Sequence, residues 1–120
     1  MSKSKQKGTL AETAVADYLK QTFPAVERRA LQGKLDTGDI AGVPGCVVEV
    51  KNQRSYKIHE WMKETEIERI NAKEELGVLV IKPNGVGVSR VADWWAVVPL
   101  SALAELIEEL RVKRLQSSRD

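Results

Sequence analysis

The stretch Asp36–Lys51, DTGDIAGVPGCVVEVK, reads as two short strands folded back on each other. Asp39 and Ile40 begin the first strand, Gly42-Val43-Pro44-Gly45 forms the turn, and Cys46 to Lys51 is the second strand. Proline presets φ for a turn position and glycine accepts positive φ, so this tetrapeptide has a physical reason to turn. Side chains alternate across a strand, so Glu49 and Lys51 share one face while Val48 and Val50 share the other. Folding back at Pro44-Gly45 sets Asp39 opposite either Val48 or Glu49, the loop register deciding which. Two carboxylates and an ammonium then meet on a sheet that is apolar elsewhere. Charges so placed are costly unless they pair or hold a metal ion. The plainer alternative is a cross-strand ion pair on an exposed face, worth under about 1 kcal/mol.

Composition fits one globular domain around this hairpin, and the order of elements read along the chain, αβββαββ(β)α, makes it an α/β domain on a mixed sheet. The chain has 120 residues, 42% of them apolar, enough for a sizeable core. Its single cysteine, Cys46, excludes a disulfide framework within the chain and points to a reducing, cytoplasmic compartment. No apolar run approaches the roughly 20 residues that span a bilayer, and no signal peptide is visible, so no membrane association is expected. The net charge of +2 is unevenly placed. Residues 1–34 carry seven Lys/Arg against three Asp/Glu, and the stretch from Arg111 onward carries four against one. Acidic residues gather in 60–75 and 105–109. Basic ends permit a polyanionic partner without requiring one.

Outward from the hairpin, residues 1–7 read as a flexible basic N-terminus, 8–110 as a single domain, and 111–120 as a basic tail. Gly8 or Thr9 caps a helix running to about Thr22, with an apolar stripe of Ala11, Ala14, Val15, Tyr18 and Thr22 and Leu19 alongside. Glu12 falls on the margin of that stripe, where the helix meets the sheet; a first-turn glutamate favoured by the helix dipole reads the same way. Ala25 to Leu31 reads as a strand and Gln32-Gly33-Lys34 as a loop. Arg28 and Arg29 then face opposite sides, and one of them reaches the carboxylate face; edge-strand gatekeepers are the alternative for both.

Beyond the hairpin, Asn52 to Lys57 is polar and without period. A second helix from Ile58 to about Glu75 has a stripe of Ile58, Trp61, Met62, Thr65, Ala72 and Leu76, leaving Ile67 and Ile70 outside it. His59, the sole histidine, has no partner at zinc-ligand spacing and reads as a surface residue. Gly77 to Lys82 reads as a buried strand, with one or two further strands from Val86–Val91 and Trp94–Val98. Ser101 caps a last amphipathic helix presenting Leu103, Leu106, Ile107 and Leu110. Trp94 and Trp95 alternate faces, one core and one rim.

Asp39 followed by Glu49-Val50-Lys51 resembles the metal-binding core of the PD-(D/E)XK nucleases. The longer string of Lys7-Gly8, Ala11-Glu12, Asp39 and Glu49-Val50-Lys51 is similar to the archaeal-type Holliday junction resolvases, and still more to the resolvase-like nucleases of actinobacterial phages. The likeness covers about residues 7–82. It implies a restriction-endonuclease-like core, a central mixed β-sheet flanked by helices, working as a homodimer in the cytoplasm (the host's, for a phage protein). It implies Asp39, Glu49 and the Val50 carbonyl as ligands of Mg²⁺, with Mn²⁺ substituting, Glu12 completing the site through a metal-bound water, and Lys51 beside the attacking water. Arg28 or Arg29 matches the family's basic residue after the first helix. Thr13 departs from the pattern, since archaeal members often carry Arg after the helix Glu.

The chemistry suits the residue types. Phosphodiester hydrolysis needs a hydroxide-like nucleophile and stabilised phosphoryl oxygens, and Mg²⁺ takes hard oxygen ligands while keeping several waters. The expectation is a Mg²⁺-dependent DNA endonuclease resolving four-way junctions by paired cuts. A nuclease acting on other branched or linear DNA, or a DNA-binding module with a structural carboxylate cluster, is the alternative. Lys3, Lys5, Lys7, Arg28, Arg29, Arg54 and Lys57 are the expected phosphate contacts. Ile67, Ile70 and one of Trp94 or Trp95 are the expected dimer contact.

Overall fold

A computed structural model describes residues 2–29 and 38–119. Its element order is α1 (Lys3–Lys20), β1 (Glu27–Arg28), β2 (Ile40–Ala41), β3 (Cys46–Lys51), α2 (Ile58–Ala72), β4 (Leu76–Ile81), β5 (Trp95–Val97) and α3 (Leu100–Arg119). The strands form one mixed sheet in the order β1-β2-β3-β4-β5. β1, β2 and β3 form an antiparallel meander, β3 and β4 run parallel, and β5 returns antiparallel to β4. Parallel neighbours need a crossover, which α2 supplies.

The hairpin forms where the sequence places it. Ile40 pairs with Val48, and Asp39 just before it also lies against Val48, two residues facing one as in a β-bulge. The Asp39 N–H donates to the Val48 carbonyl at 2.9 Å, extending the ladder by one residue. Gly42, at φ +90°, lies so close to the chain behind it that a Cβ there would stand 2.3 Å from the Ala25 carbonyl oxygen. Glycine is therefore required on both counts, and the turn is locked against the segment that follows α1.

The two sheet faces bury different partners. Val48 and Val50 pack with Ile40, Val26 and Trp94 against Ala11, Val15 and Ala16 of α1. On the other face Leu79 and Ile81 pack on Trp61 of α2. Gly77 lets α2 approach β4 closely: a Cβ there would lie 3.1 Å from Thr65 Cγ2. Thr65 is buried in turn, its hydroxyl donating to the Trp61 carbonyl at 2.7 Å. Buried hydroxyls need such a partner.

Several expectations are corrected. α1 starts at Lys3, not at Gly8 or Thr9, because the Ser2 side chain accepts from the Lys5 N–H at 3.2 Å; residues 3–7 are thus helical. Tyr18 is exposed and Ala16 takes a core position on the stripe. β1 is limited to Glu27–Arg28, and the expected strand's end together with the loop at Gln32-Gly33-Lys34 lies outside the described residues. α2 stops at Ala72 because Lys73 turns left-handed at φ 57°.

The expected strand over Val86–Val91 is instead a pair of 3₁₀ turns, Val88–Asp93, kinked at Arg90. β5 holds the free edge of β4, and the turns drop Trp94 into the α1 core, where its indole N–H donates to the Gly87 carbonyl. Trp95 is exposed, as the alternation of the pair requires. The last helix begins at Leu100, so Ser101 lies inside it, and the stretch from Arg111 is helical through Arg119 rather than a tail. None of the residues of α3 is buried. Among the described residues no helix is long and apolar enough to cross a membrane.

Candidate active site

β3 brings the chemistry together because its two faces are unequal. Val48 and Val50 commit one face to the α1 core, which forces Glu49 and Lys51 onto the α2 side. The Asp39 side chain reaches the Glu49 carboxyl, and its Oδ2 accepts from the Val50 N–H at 2.8 Å. That hydrogen bond clamps the carboxylate against the strand. The N-terminal half of α1 closes the third side with Glu12, Gly8 and Lys7. Together with Ser4, Asn52, Gln53 and Arg54 these residues line a polar cleft of about 530 Å³. The Asn52 side-chain amide donates to the Lys7 carbonyl at 3.2 Å and ties the end of β3 to α1. The segment carrying Arg54 is fixed as well: the Asn84 amide donates to the Arg54 carbonyl at 2.8 Å and the Asn84 N–H to the Tyr56 hydroxyl at 2.7 Å.

The sequence-expected residues therefore converge, and the arginine alternative resolves. Arg28 Nε lies 3.8 Å from Glu12 Oε1 and reaches the carboxylate face. Arg29 lines a separate cavity with the Gly42–Val47 turn and Glu74. Lys7 and Arg54 line the cleft. Lys3 and Lys5 are exposed on the first turns of α1, and Lys57 is exposed at the start of α2.

Two residues of α2 belong to the site and were not anticipated. Glu64 Oε2 sits 3.0 Å from Lys51 Nζ, closer than Glu49 Oε1 at 3.7 Å. Glu68 is 3% exposed, faces Glu49, and completes the buried row Trp61, Thr65, Glu68. The signal was present in the sequence. The stripe read on this helix skips from Thr65 to Ala72, and Glu68 stands at the helical spacing that fills the gap.

Electrostatics follow from burial and crowding. Burial pushes the Glu49 carboxyl well above its ordinary 4.5, and the neighbouring Glu68 and Asp39 carboxyls push the same way. Glu12 is raised by burial and by the Asp39 charge, against the opposing pull of Arg28. For Lys51 burial works downward, but Glu64, Glu49 and Asp39 outweigh it and hold the ammonium above its ordinary value. Lys51 stays charged, its head 5.9 Å above the Trp61 ring.

One stability prediction follows from Glu49. A carboxyl whose folded pKa is raised carries a proton in the native state that the unfolded chain gives up near 4.5. Stability of the metal-free protein then falls as pH rises above that ordinary value. Glu49→Gln keeps a neutral hydrogen-bonding side chain facing Glu68, so it should stabilise the metal-free protein by about 2 kcal/mol at pH 8 and flatten the pH dependence. Urea midpoints from pH 5 to 9 measure both; an equally sloped variant would contradict the assignment.

Among the described residues no three histidine, cysteine or acidic side chains form a ready-made metal nest. Glu12 is drawn toward Arg28 and Glu49 toward Glu68. The donor set nonetheless suits Mg²⁺. Asp39 and Glu49 offer hard oxygens, Glu49 Oε2 is buried without a hydrogen-bond partner among the described residues, and two carboxylates suffice for an ion that keeps most of its waters. No family model matches the chain, and no curated protein and no solved structure matches it significantly.

Proposed function

We propose that this protein is a Mg²⁺-dependent DNA endonuclease with a restriction-endonuclease-like core, cutting branched DNA and foremost four-way junctions. The observation that carries the reading is the convergence of the Asp39 and Glu49 carboxyls, two residues from a charged Lys51, in a cleft edged by Lys7 and Arg54. Carboxylates crowded enough to raise one another's pKa are matched to a divalent cation. Asp39, Glu49 and the Val50 carbonyl would hold Mg²⁺, with Glu12 at the margin through water. When bound, the ion supplies Lewis acidity at the phosphate and activates water.

The protein's own residues do the rest. The Val50 N–H fixes the Asp39 carboxylate in one orientation. Glu64 and Glu49 aim the Lys51 ammonium, which, being charged, donates hydrogen bonds to the attacking water or the phosphoryl oxygens rather than removing a proton. The basic rim holds the DNA backbone, and Arg28 beside Glu12 stands where a phosphate entering the cleft would meet it.

The competing reading is a DNA-binding module whose carboxylates are structural, favoured by the close facing of Glu49 and Glu68. Titration with Mg²⁺ or Mn²⁺ separates the two. Binding that is lost in Asp39→Asn supports the enzyme; no binding supports the module. Cleavage assays across four-way junction, flap, nicked and linear DNA then rank the substrates.

Binding itself carries a salt prediction. Lys3, Lys5, Lys7, Arg28, Arg54 and Lys57 should contact phosphates, so log affinity falls linearly with log salt. Removing one true contact lowers the slope by about one. Arg28→Ala should do so and Arg29→Ala should not, since Arg29 lines the other cavity; fluorescence anisotropy at graded salt checks the pair.

A further inference from the structure

An aromatic corner stands beside the cleft, and the chemistry of the carboxylates makes no use of it. Tyr56 follows Arg54 by two residues, and its ring lies between Trp61 and Trp95, 6.5 and 5.9 Å from their centroids. Trp61 is buried and carries the Lys51 ammonium over its ring, so packing accounts for it. Packing does not account for the other two, since Trp95 is 47% exposed and Tyr56 37%. Both contacts are edge-on, with 65° and 69° between the planes, so the rings do not consume their stacking faces on each other. Tyr56 is nonetheless held in place. Its hydroxyl accepts from the Asn84 N–H, and the Asn84 side chain in turn donates to the Arg54 carbonyl. An aromatic surface already fixed in this way loses little freedom when something binds it.

The sheet sets the distance between this corner and the reactive centre. Lys51 pairs with Ile81 and Ile81 with Trp95, so the three form one row across β3, β4 and β5. Ile81 packs on Trp61, which places the whole row on the α2 face of the sheet. Two strand spacings put Trp95 about 10 Å from Lys51, the rise of roughly three stacked nucleotides. A DNA strand whose phosphates lie along Lys51 and Arg54 therefore carries its neighbouring bases past the rings. In a paired duplex both faces of each base are covered by the bases above and below. Only an unpaired base has a free face to offer an aromatic side chain, and such stacking tolerates any sequence. Building on the DNA-cleaving reading of the cleft, we propose that Tyr56 and Trp95 form a stacking platform for an unpaired base of the bound strand. The preferred DNA then has a single-stranded flap, a gap or an opened branch point within a few nucleotides of the cleft.

Fluorescence anisotropy without divalent cations reads this binding apart from cleavage. Wild type should bind a labelled duplex bearing a single-stranded flap more tightly than the same duplex fully paired. Trp95→Ala should weaken the flapped complex about 10-fold, the stacking of one base, with an unchanged salt slope because no phosphate contact is lost. Trp95→Phe should recover most of that loss. The flapped duplex should also quench tryptophan emission in wild type and far less in Trp95→Phe, Trp61 and Trp94 being buried. Equal binding of the two DNAs by wild type, or an equal loss for both in Trp95→Ala, would overturn the proposal. So would a Trp95→Ala chain that loses self-association but keeps the flap preference, which would make the rings a contact between copies. A flap preference that depends on Trp95, in a chain that cuts no DNA with Mg²⁺, would support the platform and sink the nuclease reading alone.

Discussion

Asp39→Asn, Glu49→Gln and Lys51→Ala should each lower the rate of DNA cleavage at least about 1,000-fold, a loss of about 4 kcal/mol of transition-state stabilisation. The folded protein should survive all three. Asp39 and Lys51 are only partly buried, and Glu49→Gln puts a neutral side chain where the folded protein already holds a protonated carboxyl. DNA affinity should change little, since the basic rim is untouched. Glu64→Gln provides a graded comparison. It removes the nearest partner of Lys51, so the lysine's pKa falls, cleavage drops about 10-fold, and the alkaline limb of the pH–rate profile moves to lower pH. Glu64 is a positioning residue, and a merely structural role would leave that limb in place. Single-turnover cleavage of a labelled four-way junction measures all four variants. Wild-type activity in Lys51→Ala would end the nuclease assignment.

The second large effect is on the fold. Gly42→Ala should destabilise the protein by about 3–5 kcal/mol, a large share of the 5–15 kcal/mol that holds a typical domain. The residue needs positive φ, and its new Cβ would meet the Ala25 carbonyl oxygen at 2.3 Å and carbon at 2.6 Å. Backbone cannot yield as a flexible side-chain end can, so the turn must shift and carry β2 with it. Gly45→Ala is the control: its φ is also positive, at +70°, but its Cβ would meet nothing within 4 Å. Only the conformational part, about 1 kcal/mol, should be lost there. Urea denaturation of the two variants separates close approach from dihedral strain.

The hairpin was legible in sequence because one short segment contains its own instructions. Pro44 and Gly45 fix the turn, and the valines of β3 fix which face is buried. Register was open by one residue, and the structure sets both Asp39 and Ile40 against Val48, an irregularity no residue pattern announces. The α1 start was misplaced because a serine cap at position 2 is a weak signal inside a lysine-rich run. Val86–Val91 failed for another reason. Its valines suit a strand, but strand formation depends on a vacant sheet edge, and β5 takes that edge. Glu64 and Glu68 stood out in sequence only as part of the acidic residues gathered in 60–75. A glutamate in a buried row violates hydrophobic patterning, and such violations are where a site tends to lie. The face of α3 was legible as amphipathic, but not that it points away from the core, because periodicity fixes a stripe and never its direction.

β3 lies in the middle of the five strands, hydrogen-bonded on both sides, while β1 has two residues and β5 three. In native-state hydrogen exchange, local openings begin at short edges and reach such a central strand last. Glu49 and Lys51 are thus anchored to the central strand, and fraying at the margins leaves them in register.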